Sequence, residues 1–231
     1  MKIHGLNKTT LLDYPGHVAA TVFTGGCNFC CSFCHNKNLV LNPESQPILA
    51  EEDIFDFFRK REGIITGVCI TGGEPTLQPD LKMFLTEVRE IGLKIKLDTN
   101  GYQPEILKEI IADGLVDYVA MDIKSCKAGY GEAAGREIDI ARIEESVSCL
   151  MEGKVEYEFR TTIVKELHTV EGMKEIGRWI RGCRAYYLQS YEENENVICK
   201  GFHACTKEEL ETMKNIVKNY VKHVEIRGVY D

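Results

Sequence analysis

Residues 18–36 read Val-Ala-Ala-Thr-Val-Phe-Thr-Gly-Gly-Cys-Asn-Phe-Cys-Cys-Ser-Phe-Cys-His-Asn. The first seven form a short apolar, β-rich run, VAATVFT (18–24), and two glycines then break it. The chain enters a loop that carries Cys27, Cys30, Cys31 and Cys34 within eight residues. A strand that ends in a loop of chemically reactive side chains is the arrangement of α/β folds, whose sites lie at the carboxyl ends of the strands. The rest of the sequence repeats the pattern. Further β-rich runs are VCIT (68–71), KIKLDT (94–99), YVAMDIK (118–124), VEYEFRTTIV (155–164) and AYYLQSY (185–191), with HVEIRGV (223–229) as a final one. Between and after them, amphipathic stretches predict helices over 51–60, 80–91, 104–113, 139–151, 171–181 and 206–220. In the second, Leu81, Phe84, Leu85, Val88 and Ile91 recur at helical spacing and Gly92 follows as a stop. Six βα units are too few for an eight-fold barrel, which leaves an open six-stranded barrel or a doubly wound sheet. The segments 129–137 (GYGEAAGRE) and 42–46 read as loops too short to separate domains, so 1–231 is expected to be one domain.

The chain has 231 residues and a formal net charge of −8, from 28 basic and 36 acidic side chains. That balance argues against nucleic acid or an anionic membrane as the main partner, since both require a concentrated basic surface. No stretch approaches the ~18 apolar residues of a membrane span, and MKIHGLNKTTLLDYPG lacks the basic start and apolar run of a secretory signal, so the expected location is the cytoplasm. In that reducing compartment the ten cysteines are not expected to form disulfides, and metal or redox chemistry becomes the question to ask of them.

Within the loop, Cys27, Cys31 and Cys34 have the spacing C-x3-C-x2-C. Three thiolates so close can wrap one iron-sulfur cluster, and on a four-iron cluster they leave one iron open for chemistry. Two other readings use the same residues. Cys27-x2-Cys30 with Cys31-x2-Cys34 is a possible four-cysteine zinc site, although zinc ribbons normally separate such pairs by a longer hairpin. Cys31-x2-Cys34-His35 matches covalent haem attachment, which belongs outside the cytoplasm.

The loop resembles the signature of the radical S-adenosylmethionine (SAM) enzymes, C-x3-C-x2-C with an aromatic residue, here Phe33, before the third cysteine. Other segments extend the resemblance over nearly the whole chain. Thr71-Gly72-Gly73-Glu74-Pro75 resembles the GGE motif of that family; Leu97-Asp98-Thr99-Asn100-Gly101 and Met121-Asp122-Ile123-Lys124 resemble the D-T-N-G and D-[LIV]-K segments of its glycyl radical enzyme activases. Leu12-Asp13-Tyr14-Pro15-Gly16 and Cys34-His35-Asn36 are similar to the branch that activates anaerobic ribonucleoside-triphosphate reductase, with pyruvate formate-lyase activating enzyme as a close relative.

The resemblance implies an α/β fold, a partial (β/α)6 TIM-like barrel. It implies a [4Fe-4S] cluster on Cys27, Cys31 and Cys34, with SAM bound at its open iron and cleaved reductively, so that a glycyl radical forms on a partner enzyme. Gly72, Gly73 and Glu74 would hold the SAM amino group and Lys124 its carboxylate, while Phe33, Asn100 and Gln189 complete the cofactor pocket. Asp98, Thr99 and Asp122 would hold a monovalent cation, and Arg160 would meet the substrate. The implied partners are a glycyl radical enzyme and a flavodoxin or ferredoxin as reductant. Cys30 stands where the family usually has Arg or Lys, and reads as a bystander thiol. The scattered Cys69, Cys126, Cys149, Cys183, Cys199 and Cys205 read as structural. Rival functions are radical SAM chemistry on a small molecule or peptide, and a zinc-stabilised binding protein. On elementary grounds alone, Asp98, Thr99 and Asn100 also fit a helix cap, and Arg160 a sheet-edge salt bridge.

Overall fold

The computed structural model describes residues 1–229. The backbone forms two compact units that interleave along the chain: Met1–Asn28, Asn38–Ala120 and Lys154–Glu156 in the first, and Phe29–Lys37, Met121–Gly153 and the chain from Tyr157 onward in the second.

In the first unit, β1 (Ile3–Thr10) runs antiparallel to β2 (Ala19–Thr24), and β2, β3 (Gly67–Gly72) and β4 (Lys94–Thr99) are mutually parallel. Ala20 stands beside Val68 and Val68 beside Ile95. Both faces of these strands are buried, which explains why they read as continuous apolar runs and not as alternations. Helix α2 (Glu51–Lys60) contributes Ile54, Phe55 and Phe58 to the core, α3 (Leu81–Glu90) contributes Leu81, Phe84, Leu85 and Val88, and α4 (Pro104–Ala112) contributes Leu107 and Ile110. Carboxylates crowd the first turn of α2, and Arg59 and Lys60 its last, as the helix dipole favours. A short helix, α1 (Lys37–Leu41), follows the cysteine loop. Strand β5 (Tyr118–Asp122) begins in the first unit, and its last two residues belong to the second.

In the second unit, β6 (Glu156–Ile163), β7 (Tyr186–Ser190) and β8 (Val224–Arg227) are parallel, with Phe159 beside Tyr186 and Tyr186 beside Val224. Helices α6 (Ile140–Met151), α7 (Val170–Trp179) and α8 (Lys207–Val217) begin at side-chain caps from Asp139, Thr169 and Thr206. The Thr206 cap is reciprocated by Glu209, a complete capping box.

Helix α1 lies outside every expected helix, and two further segments differ from the sequence expectation. Strand β1 precedes every expected strand. The expected loop 129–137 contains helix α5 (Tyr130–Ala134), because Tyr130, Ala133 and Ala134 are all buried and Gly135, at φ +66°, ends the turn. The helix-cap reading of Asp98, Thr99 and Asn100 does not hold, since α4 starts at Pro104 and its N-cap position is Gln103. Among the described residues, no helix is long and apolar enough to cross a membrane.

Candidate active site

In the first unit the site is built on two strand ends zipped together. Beyond β3, Gly73 N–H donates to Thr24 O and Glu74 N–H to Gly26 O, both at 2.8 Å. The contact requires glycine. A Cβ on Gly72, at φ +112°, would lie 2.4 Å from Thr24 N, and one on Gly73 would lie 1.9 Å from Gly26 O. Gly72-Gly73 therefore fixes the backbone that leads into Cys27.

Glu74 is buried, and its carboxylate accepts four hydrogen bonds. Oε1 takes Thr76 N–H at 3.1 Å, Thr76 Oγ1–H at 2.5 Å and Thr99 Oγ1–H at 2.7 Å; Oε2 takes Asn100 N–H at 2.7 Å. Burial pushes the Glu74 pKa up, and these donors pull against it. The Asn100 side chain accepts from Tyr102 N–H at 2.9 Å and donates to Asn28 Oδ1 at 2.8 Å. Its Nδ2 also lies 3.9 Å from Cys27 Sγ. Asp98 forms an ion pair with the buried Lys96 at 2.5 Å.

In the second unit, the rest of the cysteine loop is tied at several points. Cys30 N–H donates to Ala134 O at 2.9 Å, and a Cβ on Gly135 would lie 2.1 Å from Cys30 O. Cys199 N–H donates to Ser32 O at 2.8 Å and Ile198 N–H to Cys34 O at 3.1 Å. Phe33 is buried, and Phe29 meets Tyr130 edge-on at 6.5 Å. Burial pushes the Cys31 thiol up to about 11, against the Lys124 charge. It pushes Cys34 up as well, against the Asn36 N–H donated to its sulfur at 3.4 Å and the Lys124 charge. Both are therefore protonated thiols at neutral pH.

Asp122, at the end of β5, binds Lys124 Nζ at 3.0 Å and Arg160 Nε at 2.9 Å. Burial raises its pKa, but the two cations outweigh it and hold the carboxyl down at about 2. Lys124 is correspondingly raised by Asp122 against its own burial. The backbone here is equally constrained. Ile123 N–H donates to Arg160 O at 2.7 Å, and Thr161 Oγ1–H to Ile123 O at 2.7 Å, while Tyr186 O–H donates to Thr161 Oγ1 at 2.6 Å. The buried His168 accepts Val164 N–H on Nδ1 at 3.0 Å and donates Nε2–H to Lys124 O at 2.9 Å; burial lowers its pKa and keeps the ring neutral. Gln189 lies near the end of β7, beside Thr162 of β6 and Arg227 of β8.

The structure therefore assembles Gly72, Gly73, Glu74, Thr99 and Asn100 with Cys27 in one unit, and Asp122, Lys124 and Arg160 with Cys31 and Cys34 in the other. Of the residues considered for a monovalent cation, Asp98 is paired with Lys96, Thr99 donates to Glu74, and Asp122 is neutralised by Lys124 and Arg160. Asn28, Thr76, Tyr130, Thr161, His168 and Tyr186 escaped the sequence reading. None of them is a position that the cysteine spacing or the quoted motifs single out, and it is their contacts that mark them.

The sequence matches the radical SAM superfamily over residues 21–180. It is 31% identical, over 98% of this chain and 96% of the relative, to a Methanocaldococcus jannaschii protein named "putative glycyl-radical enzyme activating enzyme". It is 33% identical to the pyruvate formate-lyase-activating enzyme of Clostridium pasteurianum, over 53% of this chain and 52% of that protein. Among solved structures it resembles Streptococcus suis SuiB, with a TM-score of 0.70, 16% identity, and coverage of 91% of this chain and 49% of that one. The chain thus spans about half the length of the latter two. The fold is α/β, a partial TIM-like barrel.

The residues described above fit the [4Fe-4S] cluster that the radical SAM superfamily uses. Three thiols of suitable spacing are present, with a cation beside two of them. Beside Cys27 there is a buried Asn28 Nδ2 with no acceptor.

Proposed function

The chain belongs to the radical SAM superfamily, whose enzymes use a [4Fe-4S] cluster and SAM, and on that premise we propose that it is the activase of a glycyl radical enzyme, with anaerobic ribonucleoside-triphosphate reductase as its partner. The observation that carries this reading is the end-to-end likeness to an enzyme named for glycyl radical activation, 31% identical over 98% of this chain. The likeness to a pyruvate formate-lyase-activating enzyme supports the same reaction class.

The cofactors would supply one-electron cleavage of the sulfonium to methionine and a 5′-deoxyadenosyl radical, which takes a hydrogen atom from a glycine of the partner; a flavodoxin or ferredoxin supplies the electron. The chain's own residues hold and orient. Cys27, Cys31 and Cys34 are the cluster ligands, and Phe33 packs beside the last. Gly72 and Gly73 bring backbone close enough to offer carbonyl oxygens to an ammonium group. Glu74 braces that turn against Thr99 and Asn100. Lys124 presents a permanent cation for a carboxylate, and Asp122 and Arg160 fix its position. Gln189 completes the cofactor pocket.

The test is anaerobic reconstitution, followed by reduction with SAM in the presence of anaerobic ribonucleoside-triphosphate reductase. About four irons and four sulfides per chain, release of 5′-deoxyadenosine and a glycyl radical doublet in electron paramagnetic resonance are expected. Deoxyadenosine with a modified metabolite and no glycyl radical in any partner would replace the activase reading with a small-molecule one. A colourless protein with about one zinc and no sulfide would remove the radical reading altogether.

A further inference from the structure

We infer that the side-chain amide of Asn28 is an N–H donor to sulfur of the iron-sulfur cluster, aimed by Asn100 and acting on the cluster's reduction potential; this rests on the reading of Cys27 as a cluster ligand.

The orientation of both amides follows from a backbone group that cannot reverse its role. Tyr102 N–H lies 2.9 Å from the Asn100 side chain and can only donate, so the Asn100 atom it meets is Oδ1. The other end of that amide is therefore Nδ2, a donor, and it lies 2.8 Å from the Asn28 side chain. The Asn28 atom facing it must in turn be Oδ1. Asn28 Nδ2 is left pointing away, and it is buried with no acceptor in the protein. The main chain of Asn100 is held independently, through its N–H on Glu74 Oε2 at 2.7 Å. The buried donor is thus fixed by a relay that starts at a buried carboxylate.

A buried N–H without an acceptor is rare in folded proteins, and it points to a group that arrives later. The neighbourhood says which. Asn28 directly follows Cys27, whose Sγ lies 4.0 Å from Asn28 Oδ1 and 3.9 Å from Asn100 Nδ2. What an iron-sulfur cluster would bring to Cys27 is bridging sulfide, beside the residue's own sulfur as thiolate. An N–H donated to cluster sulfur stabilises the extra electron of the reduced state and raises the potential. The competing acceptor is an oxygen of SAM.

The experiment uses the full chain with its cluster reconstituted anaerobically. Midpoint potentials are measured without SAM, by redox titration followed in electron paramagnetic resonance, for wild type, Asn28→Ala and Asn28→Leu, with iron and sulfide counted in each sample. Neither variant adds charge. The expected result is a lower midpoint potential in both at wild-type iron and sulfide content, with SAM affinity of the oxidised cluster unchanged. An unchanged midpoint in fully loaded variants overturns the inference, and an unchanged midpoint with weakened SAM binding reassigns the donor to SAM. If the variants fail to fold or load, wild-type protein labelled with 15N-asparagine decides. Electron spin-echo modulation of its reduced cluster should show an asparagine coupling that is missing from equally labelled Asn28→Asp, which keeps the Oδ1 acceptor for Asn100; the same coupling in both comes from Asn36 or Asn100 and refutes the contact, as does absence of coupling. A wild-type chain that takes up no cluster defeats the function proposed above, an outcome separate from these.

Discussion

Replacing Glu74 with Gln separates a bracing role from a ligand role. The carboxylate receives three donors on Oε1 and one on Oε2, two of them backbone N–H groups that cannot turn round. A glutamine has one carbonyl oxygen. With that oxygen on the Oε1 side, its NH2 faces Asn100 N–H across the 2.7 Å gap now bridged by a hydrogen bond. One charge-assisted bond of ~1.5 to 3 kcal/mol is lost, and a buried donor is left without an acceptor at ~1 to 3 kcal/mol. Relief of the buried charge, which pushes the Glu74 pKa up, offsets part of this. A net loss of ~3 kcal/mol is expected, which for a chain of this length lowers Tm by roughly 6–12 °C. The assay is thermal melting of the cofactor-free protein by circular dichroism, paired with SAM affinity of the reconstituted one. A Tm within ~2 °C of wild type together with a ten-fold or greater loss of SAM affinity would refute the bracing argument and put the carboxylate on the ligand.

Three further outcomes are expected. Gly73→Ala places a methyl 1.9 Å from Gly26 O, so β3 and the backbone before Cys27 must part; the variant should melt lower than wild type and retain less iron, by colorimetric analysis after desalting. Cys27→Ala, Cys31→Ala and Cys34→Ala should each abolish the cluster's visible absorption and SAM cleavage, whereas Cys30→Ala keeps most of both; equal loss in all four would favour a four-cysteine zinc site. Asp122, held at about 2 by Arg160 and Lys124 against an ordinary ~3.9, contributes stability present above pH ~4 and lost as pH falls through about 2. The contribution is ~2 kcal/mol. Urea midpoints measured from pH 5 downward should show a shallower acid limb in Asp122→Asn, and an identical limb would argue against the ion pairs.

Strand and helix positions were legible wherever burial makes a pattern. KIKLDT predicts β4 at Lys94–Thr99 and the helix over 51–60 is α2, each with the observed bounds. Strand β1 escaped because only Ile3 and Thr10 of its eight residues are buried, which leaves IHGLNKTT without alternation. Helix α5 escaped because GYGEAAG carries turn residues; its stability comes from burying Tyr130 and two alanines, a tertiary effect. In the site, the family resemblance implied Glu74, Asn100, Asp122 and Lys124, but not what they touch. Glu74 draws two of its four donors from Thr99 and Asn100, 25 and 26 residues on, and Lys124 is steadied by His168, 44 residues away. Such pairings depend on how strands lie side by side, which one chain's letters do not encode.

The hydrogen bonds from Cys30 to Ala134, from Ile198 to Cys34 and from Cys199 to Ser32 bear on how such a protein matures. Fixing a residue's backbone costs roughly 1–2 kcal/mol of entropy, and a metal centre in a floppy loop meets that cost at the moment of loading. In a zinc finger it does so entirely, and without metal there is no fold. Here the loop is laced to its surroundings by the folding of the chain itself. Iron delivery then becomes an insertion into a standing frame, so loss of the metal under oxygen should leave a folded shell able to accept it again.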